Sequence, residues 1–361
     1  MDRKLLAGLG LYRLGIDFGT SSTVAMTAGL DGRARPLLFD GTPLLPSAVC
    51  GRPAGGLLVG GDAVEAAATY PERFEPYPKR RIDDTVVLFG ETDVAVVDMI
   101  GAVLRRVADE AGRATGGPPA EVVLTHPASW TVPRREALLA AAARAGIAKA
   151  RLLAEPVAAG HYFRTAFGRV MPPGGHLLVY DLGAGRFDAS VLRRAPYGFV
   201  VLASEGLADA GGLAVDAAVM AHLAASYSAR DPRAWARLSA PATPADRRLS
   251  RQAWDAVRAA KEILSGVSST RVCLPALDQD APLSRDQLDA LARPILDRTV
   301  DAARRALLDA RVPAASLTAI LLAGGATRMP LVEMLLHDAF GIAPTTIDQP
   351  ELVVACGSAC G

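Results

Sequence analysis

The sequence predicts an α/β fold of two lobes built on one duplicated plan, with a ligand held between them. Three observations predict it. Strand-like and helix-like segments alternate along the whole chain. One unit occurs once in each half: an apolar strand ending in aspartate, a glycine-containing turn, then a second strand. It reads LGIDFGTSST at 14–23 and VYDLGAGRFD at 179–188. The third is length: 361 residues, 50% of them hydrophobic, exceed one comfortable core and supply ample apolar material for two.

Taken in order, LYRLGIDF and STVAMTAG are strands joined by a Gly-Thr-Ser turn. LLPSAVCG follows, then GGLLVGGDAVEAAATY as a strand leading into a helix. Residues 94–115 place apolar side chains three to four apart and predict an amphipathic helix. EVVLTHPA is a buried-type strand, and PRREALLAAAARAGI a helix stopped at Gly146. ARLLAEPVAAGHYF puts Pro156 in the first turn of another helix. Pro172-Pro173-Gly174-Gly175 marks a boundary, after which HLLVYDL and ASVLRRA flank a second Gly-rich turn. Helices are expected over VDAAVMAHLAASY, RQAWDAVRAAKEILS, 285–311 and 330–339, and LTAILLAG is a buried strand. A Pro-, Ala- and Arg-rich stretch at about 230–247 is expected to be an exposed loop. The lobes expected are residues 1–174, completed by 345–361, and residues 175–344.

Charge and cysteine content narrow the classes. Lys plus Arg number 39 against 38 Asp plus Glu, which offers no electrostatic attraction for nucleic acid or an anionic membrane. No uncharged apolar run is long enough to span a bilayer. The segment MDRKLLAGLGLYRLGID is interrupted by Arg13 and reads as a strand lead-in, not a signal peptide, so the expected location is cytoplasmic. Cys50, Cys273, Cys356 and Cys360 are too few and scattered for a disulfide framework and are expected to be buried free thiols. Cys356 and Cys360 are spaced to share a helical face.

In Asp17-Phe18-Gly19-Thr20-Ser21, glycine lets the backbone approach a phosphate and successive N–H groups form an anion cradle. The hydroxyls add donors, and the Asp17 carboxylate suits a hydrated Mg²⁺. The plain alternative is an ordinary hairpin turn. Asp181-Leu182-Gly183-Ala184-Gly185 repeats the build and could grip a phosphate chain from the opposite side, with Asp181 sharing the cation. Leu321 to Pro330 (LLAGGATRMP) is a strand, a glycine pair and a helix start. Its glycines allow flat approach of a ring or sugar, and Arg328 can stack on a base; otherwise it is a structural strand-to-helix turn. Neither a Gly-Lys-Ser/Thr P-loop nor a helix-opening G-x-G-x-x-G occurs.

LGIDFGTSST, VYDLGAGRFDASV and ILLAGGATRMPLV resemble the two phosphate motifs and the adenosine motif of the actin, hexokinase and heat-shock-chaperone superfamily. LLAEPVAAGHYF, EVVLTHPASWTVPRREALLAAAARAGI and AAKEILS are similar to segments of DnaK-type heat-shock chaperones, collinear from about residue 13 onward. The resemblance implies the duplicated actin-like, ribonuclease H-like ATPase fold around a central nucleotide cleft. It implies ATP or ADP with Mg²⁺ as cofactors, Asp17 and Asp181 holding the metal through water, and Gly19, Thr20, Ser21, Gly183, Ala184 and Gly185 at the phosphates. Lys79 matches a catalytic lysine near the γ-phosphate, or is a surface lysine in a basic cluster. Only four lysines occur, Lys4, Lys79, Lys149 and Lys261, and two of them fall on motif positions. Glu155 would position metal or the attacking water with Asp188, or is simply a carboxylate at a helix N-terminus. Gly211 and Gly212 match a phosphate-side pair; Arg258, Lys261, Ser265, Gly324, Gly325, Arg328, Met329 and Glu351 match the adenosine side of the site.

Departures from the pattern bear on activity. The second phosphate motif of the family ends Gly-Gly-Gly-Thr, whereas here Gly183-Ala184-Gly185-Arg186 removes a hydroxyl and adds a guanidinium. Arg186 could neutralise charge on the γ-phosphate like an arginine finger in cis, or fill the site and block turnover. Leu213-Ala214 replaces two acidic residues, and Arg258 replaces a carboxylate above the base. DnaK-type chaperones carry a peptide-binding β-sandwich and a lid after the ATPase, and residue 361 falls inside what resembles the final helix. Either a further region follows, through which an expected protein partner or client would act, or the protein lacks that domain. Three functions follow: an Mg²⁺-ATPase domain, a nucleotide-binding scaffold with weak or no hydrolysis, and a small-molecule kinase or filament-former.

Overall fold

Two sheets repeat one pairing rule. In the first, Arg13–Phe18 runs antiparallel to Ser22–Ala28 and parallel to Glu121–His126, which is parallel in turn to Ala150–Ala154; Ala34–Pro36 and Leu45–Pro46 pair with Ser22–Ala28. In the second, His176–Leu182 runs antiparallel to Phe187–Ala195 and parallel to Leu317–Ala323, and Gly198–Leu207 extends the antiparallel side. Each aspartate-ended strand thus has a hairpin on one flank and a parallel partner on the other. The computed structural model describes residues 12–167 and 171–361. The strand lead-in expected over residues 1–11 lies outside them. Ten α-helices and five sheets occur among the described residues. None of those helices is long and apolar enough to cross a membrane.

Parallel pairing requires helical crossovers, and the amphipathic segments supply them. Val96–Thr115 connects toward Glu121–His126, burying Val96, Met99, Ile100, Val103, Leu104, Val107 and Ala111 on one face; Gly116 stops it with φ +81°. Val132–Arg144 connects Glu121–His126 to Ala150–Ala154 and is followed by Gly146 at φ +83°, as the sequence indicates. Arg285–Asp309 precedes Leu317–Ala323 and opens on a capping box between Ser284 and Gln287.

The expected loop at 230–247 is corrected. Pro232–Ser239 is a helix, capped by the Asp231 carboxylate accepting from Ala234 N–H at 2.9 Å, and it buries Trp235 and Leu238. Pro244–Leu264 then begins at once, with a capping box between Thr243 and Asp246. Pro232 and Pro244 suggested loop, but both sit in helical first turns, where the missing N–H is not needed. The hairpins Val86–Phe89/Thr92–Ala95 and Ser269–Leu274/Gln279–Ser284 and the strand Gly198–Leu207 were not anticipated. The thiols are also corrected. All four are free, but only Cys50 is buried; Cys273 is exposed on its hairpin, and Cys356 and Cys360 are half-buried.

Two helices fill the space behind the sheets. Glu155–Ala166 places Ala159 and Phe163 against Leu177, Val179 and Leu192 of the second sheet. Val353–Cys360 places Ala355 and Ala359 against Val24, Met26 and Ala28 of the first. Glycines permit the closest approaches: a Cβ on Gly357 would lie 1.8 Å from the Ala158 carbonyl oxygen, and one on Gly15 would lie 2.7 Å from Ala359 N. Gly357→Ala should therefore lower unfolding free energy by about 1–3 kcal/mol, the usual range for overpacking. Gly112→Ala, where a Cβ meets nothing within 4 Å on a helix, should raise it by about 0.5–1 kcal/mol. Urea unfolding of both variants checks the contrast, and equal effects would contradict this packing.

Candidate functional site

Both aspartate-ended strands deliver their carboxylates to one cavity of ≈ 420 Å³. Its wall includes Asp17, Gly19, Thr20 and Ser21 from the first hairpin turn and Asp181, Gly183, Ala184, Gly185, Arg186 and Asp188 from the second. Lys79, Glu155, Gly212, Arg258, Lys261, Gly324, Gly325, Arg328 and Glu351 complete the sequence-derived set that lines it. The two turns touch: a Cβ on Gly185 would come within 2.7 Å of Thr20 Cγ2. The first is held by Ser47 Oγ donating to the Gly19 carbonyl at 2.9 Å, the second by Gly183 N–H donating to the Arg186 carbonyl at 3.1 Å.

Three expected residues stand off the wall. Gly211 packs beneath the second turn, where a Cβ would lie 2.6 Å from the Ala184 carbonyl oxygen, so it shapes that turn from behind. Ser265 and Met329 line a neighbouring pocket, and Met329 is buried in the core around the second sheet. Gly324 has φ +82°, and a Cβ there would meet Leu182 O at 2.4 Å and Asp181 Oδ1 at 2.6 Å. Only glycine brings that backbone so close to the aspartate.

Cations and carboxylates alternate across the cavity. Lys79 Nζ donates to Glu155 Oε1 at 3.0 Å and lies 5.5 Å from the Trp130 ring centre. These two side chains are 10% and 9% exposed, so this is a buried pair. Burial pulls the Lys79 ammonium down, but the charges of Glu155 and Asp17 outweigh it and raise its pKa. Arg186 forks onto Asp188 (Nη2 to Oδ1 2.7 Å, with a second bond from Nε) and donates to Ser129 Oγ at 2.9 Å, which follows the strand Glu121–His126 of the other sheet. Lys261 Nζ lies 2.7 Å from the buried Asp216 carboxylate and donates to the Gly212 carbonyl at 3.0 Å. Arg258 donates to Tyr77 OH at 2.5 Å, and Arg328 to Glu351 Oε1 at 2.7 Å.

Sequence reasoning missed Asp216, Glu262, Ala326 and Val354 on the wall, and Thr125, Ser129 and Trp130 around it. Asp216 had a faint signal, an aspartate four residues beyond the glycine pair at a helix start. Thr125, Ser129 and Trp130 had none, because their contacts bridge segments far apart in the chain.

Burial raises the Asp17 carboxyl to about 6, assisted by the Glu155 charge and opposed by Lys79 and a 2.8 Å hydrogen bond from Thr125 Oγ1. Asp181 rises well above the ordinary range through burial and repulsion from Glu155 and Asp17, and burial lifts Asp188 to about 6 despite Arg186. Crowded oxygen donors of this kind fit a hard divalent cation. Two aspartates without a full protein cage match Mg²⁺, which keeps waters and substrate oxygens; among the described residues no set of three or more such ligands is gathered. Raised carboxylate pKa values oppose folding wherever the group is charged in both states. The penalty is full above about pH 6, shrinks below it, and vanishes near pH 4. Asp17→Asn should therefore raise the unfolding midpoint of the ligand-free protein at pH 7.5 by about 2–4 °C. That gain should disappear by roughly pH 4. Thermal scans across this range check the sign, and a lower midpoint for the variant at pH 7.5 would contradict it.

Comparison with known proteins gives the same direction. A family model described as "Hsp70 protein" matches residues 78–361. The chain is 32% identical to the "Chaperone protein HscA homolog" of Acidithiobacillus ferrooxidans, over 96% of its own length and 57% of the relative's. It is 34% identical to "Chaperone protein HscA" of Edwardsiella ictaluri and 35% identical to that of Serratia proteamaculans, with the same shares. It thus spans 57% of the length of these curated relatives. With a family model covering most of it and its glycine turns arranged in two matching sheets, the chain belongs to the Hsp70 family.

Proposed function

We propose that this chain binds ATP with Mg²⁺ between two lobes, residues 1–174 with 345–361 and residues 175–344, and hydrolyses it to ADP and phosphate. The observation that carries the reading is the meeting of both glycine turns, with Asp17 and Asp181 behind them and the Lys79–Glu155 pair beside them, at one cavity. On this reading Gly19, Thr20, Ser21, Gly183, Ala184 and Gly185 cradle the phosphate chain through N–H and hydroxyl donors. Arg258, Lys261, Gly324, Gly325 and Arg328 border the adenosine, with Ser265, Met329 and Glu351 supporting that end. Mg²⁺, when bound at Asp17 and Asp181, supplies charge neutralisation on the phosphate oxygens. Lys79 sets a positive charge at the γ-phosphoryl group, while Glu155 and Asp188 accept hydrogen bonds from the attacking water and orient it. Catalysis is then positioning plus electrostatics. Lobe closure on ATP and its relaxation after hydrolysis would signal to a protein partner or further domain in a DnaK-like chaperone of the cytoplasm.

A nucleotide-binding scaffold with weak or no hydrolysis is the second reading, and Arg186 favours it. Its guanidinium is already anchored to Asp188 and Ser129. A side chain so held can occupy the space a γ-phosphate needs. Phosphate release from Mg²⁺-ATP separates the two. As an ATPase, the protein should lose at least about 100-fold in rate on Asp181→Asn, the scale of removing one preorganised electrostatic group. Arg186→Thr should lower the rate further if the guanidinium stabilises the transition state. As a scaffold, the wild type releases no phosphate while still binding ATP, and Arg186→Thr creates activity. No ATP binding in either protein would refute both readings.

A further inference from the structure

A buried carboxylate stands on the wall that an anionic ligand would face. Asp216, on the helix Gly212–Tyr227, is 2% exposed and lines the cavity near the second glycine turn. A bare carboxylate there would repel phosphate, and the hydrolysis proposed above gives it no part. We propose that Asp216 is a positioning residue, which holds the Lys261 ammonium in place and aims one of its N–H donors at the nucleotide where the phosphate chain joins the sugar. This role rests on the nucleotide reading of the cavity.

Lys261 comes from the last turn of the helix Pro244–Leu264, and its side chain is 9% exposed. Its Nζ lies 2.7 Å from Asp216 Oδ1 and donates to the Gly212 carbonyl at 3.0 Å. An ammonium has three N–H donors. Two at most face these oxygens, so one is left for the cavity, whose wall Lys261 joins. A Cβ on Gly212 would lie 3.0 Å from Lys261 Nζ, 3.6 Å from Ala326 Cβ and 3.7 Å from Ala184 Cα. The ammonium therefore stands beside both the second glycine turn and the Gly324-Gly325 pair. Arg258, the other cation near Asp216, is committed to Tyr77 OH at 2.5 Å.

The second glycine turn does not need this pair for its shape. Gly212 N–H donates to the Gly183 carbonyl at 3.0 Å and Leu213 N–H to the Ala184 carbonyl at 2.8 Å, so backbone alone closes the helix start onto the turn. What the pair adds is a fixed cation. Burial raises the Asp216 carboxyl, and the Lys261 charge opposes that shift.

Two effects of Asp216 on an anionic ligand oppose one another. Its charge repels the ligand, and its pairing keeps a buried cation where the ligand needs it. An ammonium this little exposed is stable only with an opposite charge against it. Without Asp216, the flexible stem of Lys261 turns the ammonium out to water and its donor is lost. The pairing effect therefore wins, and removing Asp216 should weaken nucleotide binding although it removes a repulsive charge. The scale is that of one hydrogen bond from a charged group, about 10–100-fold in Kd. ADP and ATP should lose the same factor, because the ammonium faces the part they share.

The test is calorimetric titration of the whole chain with Mg²⁺-ADP and a non-hydrolysable Mg²⁺-ATP analogue, beside thermal unfolding without nucleotide. Asp216→Asn should bind both more weakly and unfold at a lower midpoint, since it strands a buried ammonium. The double variant Asp216→Asn with Lys261→Met removes both charges. It should regain most of the midpoint yet bind no more tightly, and no more weakly, than Lys261→Met alone. A double variant that regains affinity together with its midpoint would reduce Asp216 to a structural part and overturn the role. Unchanged or tighter binding by Asp216→Asn, or a further loss in the double beyond Lys261→Met, would overturn it too. If Asp216→Asn fails to fold, the double set against Lys261→Met still decides. A wild type that binds neither nucleotide would sink the nucleotide reading itself, and this role with it, before any substitution is made.

Discussion

Asp17, Glu155, Asp181 and Asp188 crowd the part of the cavity where the two glycine turns meet, with Lys79 paired to Glu155 and Arg186 to Asp188. This crowding of negative charge is the constraint on which the rest of the structure depends. Isolated in solvent the groups would separate; here two strands and a helix start hold them together, and burial with repulsion lifts three of them from their ordinary range. Only backbone that cannot relax can sustain this. Each aspartate therefore ends a strand hydrogen-bonded on both flanks, and the turn beyond it is closed by glycine. The Lys79–Glu155 pair belongs to the same balance: removing either partner would leave a largely buried charge uncompensated.

Rigidity at the cavity is inherited from the two helices behind it. Glu155–Ala166 begins with the carboxylate that faces Lys79 and continues into the apolar face against the second sheet. Val353–Cys360 packs on the first sheet and places Val354 on the cavity wall. Gly357 and Gly15 let backbone meet backbone, so displacement of either helix is transmitted to a strand bearing a site aspartate. Electrostatic geometry and core packing are in this sense one problem. Small residues at the helix contact and the alternation of strand and crossover helix solve it together.

The duplicated plan was legible because it is written locally: apolar strand, aspartate, glycine turn. Lys79 was singled out by its match to a motif lysine, and the scarcity of lysine in an arginine-rich chain added weight to that match. What escaped was either long-range or ambiguous. Thr125 bonds Asp17 across 108 residues, and Ser129 meets Arg186 across 57. No window of sequence contains both ends of such contacts. Pro232 and Pro244 were read as loop formers, whereas the caps Asp231 and Thr243 beside them signalled helix starts. Gly211 and Met329 were matched by motif to the ligand, but their side of the chain faces the protein, because a motif fixes spacing and not which face a residue turns.

Arg186 shows how a motif can change and the site remain consistent. A guanidinium in place of a small hydroxyl needs space, countercharge and donors' partners. Gly206 gives the space, since a Cβ there would lie 2.9 Å from both Arg186 Nη2 and Asp188 Oδ1. Asp188 gives the countercharge and Ser129 a third acceptor. Because Asp188 belongs to the second sheet and Ser129 follows a strand of the first, the arginine ties the two sheets across the cavity. On the proposed reading, an incoming γ-phosphate would compete with Asp188 for the same guanidinium. If the phosphate wins, Asp188 is released as a free acceptor for water and the positive charge moves to the reacting group. If Asp188 wins, both stay neutralised and unavailable. The difference between an ATPase and a scaffold on this framework thus reduces to which anion holds one arginine.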